Sequence, residues 1–579
     1  MHGIFGTYHT DYVLDFVSLS KKLEKKSIEL PLCKLYQHTL PKFLNDKVFY
    51  TCNKCVYILE GVILNSDQLM QTYRCKTMND LITKMHHASG DSFFSQFRGS
   101  FCGAIYDIEL DQLIVYTDQI GSKNVFYSKE ENGYVFASEL KVLSDSIAKH
   151  RTLTYDEGFM YSILLYGFSP IYHTIYDGIL RIPAGSYLRI KGHDLDIVRY
   201  HRFHNAPNSL SQQENIDKLD ELYSQAIHRV LEKNRAYHYT NYLPLSAGLD
   251  SRMTNCVART LTDAPICNIT YSQTGYYDDV VPKQLAAYWG NKHFFQPLDG
   301  GDCLKELDTI VAMTEGLLHY SGAAESWQSF RHVNTSDVGV VLTGINGDQI
   351  LNISSALQDY NTKYELGEGA LIPKHLDKIE PFFPISFWKE YENKEIFYLY
   401  VRAFMFSILG SPLVQQNIGE TYSPFSDVDL VEFICSIPLK YRRNYYIYDQ
   451  WVIQKYPEML KWKHNGIYTI GSRSRVIKLC GREIALKDLA KRICWKISKE
   501  LHIYDFYRLR EGQSMNPEDS WFEKNESLKQ FANDYYKENI YRLNNYPNIK
   551  DIASEFFKGD ATEKMQVLTL LAIMKRFNC

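Results

Sequence analysis

The chain has 579 residues, 45% of them hydrophobic, with 64 Lys and Arg against 68 Asp and Glu, a formal net charge of −4. That length serves two to four domains with cores of their own, and so even a balance of charge excludes the basic footprint of a nucleic-acid binder. No apolar run reaches transmembrane length and the first residues lack the basic-then-apolar order of a secretion signal. Twelve cysteines, scattered singly, fit the reduced thiols of a cytoplasmic protein.

Residues 1–150 read as β-rich. Short β-branched or aromatic runs recur at 48–51, 56–59, 101–106, 113–116 and 134–137, with Asn132-Gly133 as a turn signal. A helix is expected near 77–88. Cys52-Asn-Lys-Cys55 is a lone CxxC without a second ligand pair, which points to strand thiols rather than zinc. A helix over 155–166 precedes a strand pair around 179–190, with Pro183 and Gly185 at its turn. Residues 205–213, polar and carrying Pro207, suit a linker. From Glu214 an amphipathic helix opens a second texture, in which helical periods alternate with apolar runs at 242–245, 265–271 and 338–342. Strands spaced by helices imply a parallel α/β sheet. Beyond 390 the pattern is mostly helical to the end. The expected architecture is two-domain: an antiparallel α+β sandwich with helices, then a parallel-sheet α/β domain with a helical extension.

The segment Leu245-Ser246-Ala247-Gly248-Leu249-Asp250-Ser251-Arg252 follows an apolar run and opens a helical pattern. Small residues at a strand-to-helix turn let backbone N–H groups close around a phosphate, with the helix dipole behind them. Ser246 and Ser251 add hydroxyl donors, and Asp250 is suited to hold Mg2+ on that phosphate. The Gly-Lys-Ser/Thr ending of a Walker A loop is absent. The segment resembles the SGGxDS signature of the PP-loop ATP-pyrophosphatases, which split ATP between its α- and β-phosphates. Ala247 replaces the first glycine, which costs little if its φ is negative.

Further segments resemble the asparagine synthetase family in order and spacing. Residues 265–271 look like its second sheet strand, and Asp278-Asp279 through Trp289-Gly290 to His293 like the stretch after it. Leu342-Thr343-Gly344-Ile345-Asn346-Gly347-Asp348-Gln349 is similar to its SGEGxDE loop. Ser423-Pro424-Phe425-Ser426-Asp427, Leu430-Val431-Glu432-Phe433 and Ile437-Pro438 are similar to its VPFLD…LVEF…LP segment. The resemblance implies a PP-loop (adenine nucleotide alpha hydrolase-like) domain over 214–475. It implies that Leu245, Ser246, Ala247, Gly248, Leu249, Asp250, Ser251, Thr270, Thr343 and Gly344 hold ATP and pyrophosphate. Asp250 and Asp348 would hold Mg2+, and Lys463, in Lys461-Trp462-Lys463, would stabilise the transition state. Glu315, His319, Tyr320 and Glu325 fall where the family builds its acceptor site and are the candidate substrate contacts. Ile345 and Gln349 stand where that loop has glutamates, which points away from aspartate as the acceptor.

Residues 1–205 resemble the Ntn-type glutaminase domain of the same family. Met1-His2-Gly3-Ile4-Phe5-Gly6 is similar to MCGIFG. Arg98-Gly99-Ser100-Phe101, Asp118 through Gly121 to Lys123, and Phe136-Ala137-Ser138-Glu139-Leu140-Lys141 match its strand motifs. The chemistry differs: His2 stands in the place of the cysteine nucleophile, Glu60-Gly61 in that of the oxyanion Asn-Gly, and Met78 aligns with the acid that grips glutamine's amine. The resemblance implies an inactive glutaminase, with residues 476–579 a helical C-terminal extension.

The expected function is an ATP-dependent carboxylate–amine ligase that adenylates a carboxylate, releases pyrophosphate and forms an amide without glutamine hydrolysis. Cyclisation within one peptide or small metabolite is one form, as in β-lactam synthetase and lasso-peptide cyclases. Ammonia- or amine-dependent amidation of a sugar or metabolite acid is a second reading, and a nucleotide-binding pseudoenzyme a third. The expected partners are ATP, Mg2+, a small-molecule or peptide carboxylate and an amine, with no nucleic acid and no membrane; homo-oligomerisation is left open.

Overall fold

The computed structural model describes residues 2–16, 23–352, 360–464, 467–468, 476–479, 482–485 and 514–578, apart from the side chains of 385, 388 and 463–485. The amino-terminal strands are β1 (Gly3–Tyr8), β2 (Glu24–Glu29), β3 (Cys33–Thr39), β4 (Val48–Cys52), β5 (Cys55–Ile63) and β6 (Gly99–Asp107). They continue with β7 (Gln112–Thr117), β8 (Phe126–Lys129), β9 (Tyr134–Ala137), β10 (Ile179–Arg181), β11 (Ser186–Lys191) and β12 (Asp194–Arg199). They form two six-stranded antiparallel sheets, ordered β10-β8-β9-β1-β3-β2 and β12-β11-β7-β6-β5-β4.

The period-two alternation of β5 decides what each sheet face meets. Ile58 enters the core between the sheets with Ile4, Leu35, Ala104 and Leu188. Tyr57, Leu59 and Ile63 turn the other way, into an outer core with Leu81 and Met85 of the helix Met78–Ser89. The free face of the first sheet, with Phe5, Phe126 and Val135, packs in one core with residues of the helices Leu140–Ala148 and Glu157–Tyr166. The expected sandwich with helices is therefore present, and each fully buried aliphatic side chain in it contributes roughly 1.5–3 kcal/mol.

One local expectation changes and another holds. The strand pair around 179–190 is two strands in different sheets, since β10 bonds to β8 and β11 to β7. Pro183-Ala184-Gly185 carries the chain between the layers, with Gly185 at φ +63° donating its N–H to the Asp118 carbonyl. Sequence alternation cannot tell a hairpin from such a crossing. The CxxC is a hairpin turn: Cys52 faces Cys55 across β4 and β5, both thiols are free, and Asn53 and Lys54 sit at φ 48° and 64°, as a two-residue primed turn requires.

The helix Gln212–Ala236, opened by a Ser211–Glu214 capping box, leads into a parallel sheet. Its strands β13 (Asn241–Pro244), β14 (Ile266–Ser272) and β15 (Lys292–Pro297) are parallel, as are β16 (Val340–Leu342) and β17 (Glu420–Tyr422). A parallel bridge between Thr240 and Val338 joins the two groups, giving the order β15-β14-β13-β16-β17. The order reverses between β13 and β16. Strand β17 interrupts the stretch expected to be helical beyond 390; three residues are too short for a periodic signal.

The carboxy-terminal helices do not stand apart. Leu568, Leu571 and Ile573 of the helix Ala561–Arg576 share the core of the Glu157–Tyr166 helix, and Tyr155 and Tyr176 donate to the Phe577 carbonyl at 2.9 and 2.8 Å. The 475/476 boundary lies outside the described residues. Among the described residues no helix is long and apolar enough to cross a membrane.

Candidate active site

In open α/β sheets ligands bind beyond the carboxyl ends of the strands, where the strand order reverses. Here that place lies between the loops after β13 and β16, which are the two segments singled out in the sequence. The first loop is tied by its own hydroxyls: Ser246 N–H donates to Ser251 Oγ at 2.9 Å, and Gly248 N–H to Ser246 Oγ at 3.1 Å. Gly248 then caps the helix Leu249–Leu261, so the helix N-terminus opens at the crevice. Ala247 is absent from the positive-φ residues, and its methyl group is buried beside Val281 and Leu285; alanine replaces glycine there without backbone strain. Its N–H donates to Asp278 Oδ1 at 2.6 Å, while Arg252, fully buried, donates to its carbonyl. Neither brace was identified from the sequence. A buried arginine inside a loop motif was the available signal.

The second loop closes on the first. Asp348 N–H donates to Asp250 Oδ2 at 2.8 Å and the Tyr448 hydroxyl to Asp250 Oδ1 at 2.7 Å. A Cβ at Gly347 would stand 2.4 Å from Asp250 Cγ, and one at Gly344 2.6 Å from Ser251 N, so both glycines are required by the approach of the loops. Asn346 takes the left-handed position at φ 76°, which asparagine tolerates. Its amide donates to the Ala403 carbonyl at 2.7 Å, inside the π-helical turn Leu399–Phe406. Burial first, and the Asp348 charge second, push the Asp250 carboxyl up to about 7. Asp348 is exposed on one side, and partial desolvation raises its carboxyl too. Two carboxylates forced together with oxygen donors only are what a hard divalent cation takes; Asp250 and Asp348 fit Mg2+.

The other expected residues divide. Thr270 turns its hydroxyl inward, donating to the Leu245 carbonyl at 2.7 Å, so it fixes the loop's base. Thr343 is buried and its N–H bonds the Tyr422 carbonyl at 2.9 Å. The backbone of Lys463 lies in a short strand paired with Tyr468, directly after Trp462, whose carbonyl accepts from Arg252 at 2.9 Å. The Lys463 side chain lies outside the described residues. Glu315 is not at the crevice loops: its Oε2 accepts the Lys141 N–H at 2.9 Å, at the start of the helix Leu140–Ala148, and Arg576 stands 3.5 Å from its Oε1. His319, with Nδ1 2.9 Å from Ser321 Oγ, stacks on Phe406, and burial lowers it to about 4. Tyr320 and Glu325 belong to a separate buried cluster.

In the amino-terminal domain, Glu60 points between the sheets. Its Oε1 accepts from the Thr39 hydroxyl at 2.8 Å and lies 3.0 Å from Lys47 Nζ; its Oε2 accepts from Gln37 at 3.0 Å. Glu420 of β17 enters the same space from the parallel sheet, accepting from Lys123 at 2.6 Å. His2 Nε2 lies 3.8 Å from Glu60 and 3.7 Å from Glu420, too far to bond either. Burial lowers His2 to about 4, so the ring is neutral. These three residues have metal-ligand spacing, but two carboxylates already matched by two ammonium groups make a closed ion-pair network. Met78 does not face this space. It packs in the outer core with Leu59 and Ile63, on the opposite face of β5 from Glu60, so it offers no group to the space around His2 and Glu60.

Residues 45–201 match the glutamine amidotransferase domain family, and residues 219–367 the asparagine synthase family. A Methanocaldococcus jannaschii protein provisionally named glutamine-hydrolyzing asparagine synthetase 2 is 22% identical over 63% of this chain and 72% of its own length. The glutamine-hydrolyzing asparagine synthetase 2 of Bacillus subtilis is 25% identical over 36% of this chain, and the match spans only 29% of that relative. The Bacillus subtilis glutamine phosphoribosylpyrophosphate amidotransferase structure with ADP and GMP overlaps 45% of this chain and 51% of its own, at 12% identity and a TM-score of 0.22, a likeness too slight to fix a fold.

Proposed function

Since the chain belongs to the asparagine synthetase family, we propose that it is an ATP-dependent carboxylate–amine ligase that forms AMP and pyrophosphate and makes its amide without hydrolysing glutamine. The observation that carries this reading is the closure of the Gly344–Asp348 loop on Asp250, at the point where the strand order reverses. The triphosphate lies against the N-terminus of the helix Leu249–Leu261, with the Ser246 and Ser251 hydroxyls and the N–H groups of that helix's first turn as donors. A substrate carboxylate attacks the α-phosphorus, pyrophosphate leaves, and an amine then displaces AMP from the acyl carbon.

Charge builds on the leaving pyrophosphate, and stabilising it is the main task of such a site. Bound at Asp250 and Asp348, Mg2+ supplies that neutralisation. Lys463 is proposed to answer the charge on the α-phosphate. Ile345 and Gln349 in place of glutamates argue against aspartate as the acceptor. In the amino-terminal domain a neutral His2 cannot act as a thiolate, and Glu60 presents acceptor oxygens where an oxyanion needs donors. Nitrogen therefore comes from an amine, free or on the same substrate.

The test is exchange of labelled pyrophosphate into ATP across a panel of carboxylic acids. The ligase reading expects exchange with the true acid and AMP as the nucleotide product. Stoichiometric ADP would sink it, and ATP binding with no exchange for any acid would favour a nucleotide-binding pseudoenzyme.

A further inference from the structure

A second cluster, in which Glu325 and Tyr320 are buried and Asn516 and Glu518 half-buried, lies off the carboxyl ends of the parallel strands. Glu325, on the helix Ser321–Phe330, is 7% exposed, and its Oε1 accepts from Asn516 Nδ2 at 2.6 Å. Glu518 opens the helix Glu518–Lys524 two residues beyond Asn516. Burial pushes the Glu325 carboxyl up to about 7; burial, with the Glu325 charge added, pushes Glu518 up to about 8. Among the described residues no lysine, arginine or histidine acts on either carboxylate. Elsewhere in the protein the buried acids Glu60, Glu395 and Glu420 each have a cation beside them.

The cluster also holds polar atoms with nothing to bond. Tyr320 is fully buried, its hydroxyl has no partner, and it lies close enough to both carboxylates to feel their charge. Asn516 Oδ1 is likewise unpartnered. Burying a polar group without a partner is costly, so two such groups beside two acids with no cation among the described residues mark a place built for something else. What the acids lack is a cation: two carboxylates, an amide oxygen and a hydroxyl oxygen can all accept.

The position ties the cluster to the ATP loops. Tyr271, near the end of β14, feels Glu325 first and Asp278 more weakly, and Asp278 is the residue that holds the Ala247 N–H. Gln273 donates to the Ser514 carbonyl at 3.0 Å, which pins the segment bearing Asn516 and Glu518 to the end of that strand.

We propose that Glu325 and Glu518, with Tyr320 and Asn516, form the subsite that binds the cationic nitrogen group, a primary ammonium or guanidinium, of the substrate joined at the neighbouring ATP site. The subsite rests on the ligase reading for its role, but its binding chemistry does not depend on it. An ammonium group offers three N–H donors and a positive charge, which matches the acceptors and answers both acids. The C-terminal segment is then part of the specificity machinery, since half of the pair comes from it.

The experiment is calorimetric titration of the full-length protein with agmatine and with n-butylamine, each in two buffers of different ionisation heat, with 1-butanol as the uncharged control. The result expected is saturable binding of at least one amine and none of the alcohol, with proton release as the carboxyl groups ionise around the cation. Glu325→Gln and Glu518→Gln should each weaken binding about tenfold or more, a change of ~1.4 kcal/mol. Tyr320→Phe, which removes only an oxygen, should weaken it by about threefold. ATP affinity should stay unchanged in all three, which also shows that they fold. No saturable binding of either amine, equal binding to the wild type and the Gln variants, or displacement of the amine by Mn2+ at this site would each overturn the proposal. Failure of the wild type to bind ATP would count against the ligase reading alone, leaving the amine result to stand separately.

Discussion

Lys123 Nζ and Glu420 Oε2 stand 2.6 Å apart across the boundary between the sandwich and the parallel sheet. Lys123 comes from the turn before β8, and Glu420 is the first residue of β17; both are buried. Burial would raise the Glu420 carboxyl, but Lys123, joined by His2 and Lys47, overrides it and holds the group down at about 2. Breaking such a pair from one side leaves a charge buried and unmatched, at a cost of about 3–5 kcal/mol.

Lys123→Met should therefore lower the urea midpoint markedly, while Lys123→Met with Glu420→Gln should recover part of the loss. The sign with pH follows from the depressed carboxyl. Its stabilisation is fully present above the unfolded value near 4.5 and is lost as pH falls through about 2. The wild type should lose stability across that window, and Lys123→Met should show a weaker slope there. Equal midpoints for the wild type and the single variant at neutral pH would show that the pair contributes nothing.

A purely steric change should silence the site. Gly347→Ala alters no charge, yet its methyl group would need the space of Asp250 Cγ, 2.4 Å away. Catalytic turnover should fall by about a hundredfold or more, equivalent to ~2.7 kcal/mol, with the thermal midpoint little changed. Asp250→Asn and Asp348→Asn should each do the same through charge. Combining the two should cost far less than the sum, because they act as one unit. Activity within about tenfold of the wild type in Gly347→Ala would mean that the loops do not meet in the working enzyme.

How much of this was legible in the sequence depends on how local the signal was. The Ser246–Ser251 and Thr343–Asp348 loops could be read directly, because their chemistry lies in consecutive residues. Ala247 looked like a departure; the backbone there turns out to need no positive φ, whereas Asn346 takes the position that does. Residues acting from a distance left no pattern. Tyr448 reaches Asp250 from 198 positions away, and Glu420 reaches Lys123 from 297. Strand β17 is three residues long, below the length at which alternation means anything. That Met78 packs in the outer core, on the face of β5 away from Glu60, could not be read from its position along the chain.

Glutamine should not serve as nitrogen donor, and His2→Cys should not restore its use. A cysteine would still face Glu60, fully buried and bonded to Thr39, Gln37 and Lys47, with no oxyanion donor in its place. Losing one such donor typically costs ~2.7–4 kcal/mol. Glutamate release is the measurement, made on the wild type and on His2→Cys after Met1 removal is confirmed. Release by the wild type above a no-enzyme control would contradict the inactive-glutaminase reading; release by the variant alone would show that Glu60 tolerates the oxyanion.

Tyr448→Phe isolates the support given to Asp250 from outside both loops. The Tyr448 hydroxyl donates to Asp250 Oδ1 at 2.7 Å and is buried to 1% exposure, so phenylalanine removes one hydrogen bond and leaves the ring's packing with Phe425 and Trp451. A bond to an ionised group contributes about 1.5–3 kcal/mol, and this one favours the charged carboxylate that Asp250 needs in order to meet Mg2+. Without it, burial and the Asp348 charge act unopposed by the tyrosine. The Mg2+ concentration that half-saturates pyrophosphate exchange should rise about tenfold or more, with turnover at saturating Mg2+ falling much less. A fold-level role predicts the reverse, a drop in thermal midpoint with the Mg2+ dependence unmoved. Titrating Mg2+ in the exchange assay beside a melting curve separates the two, and an unchanged half-saturation point would remove Tyr448 from the site.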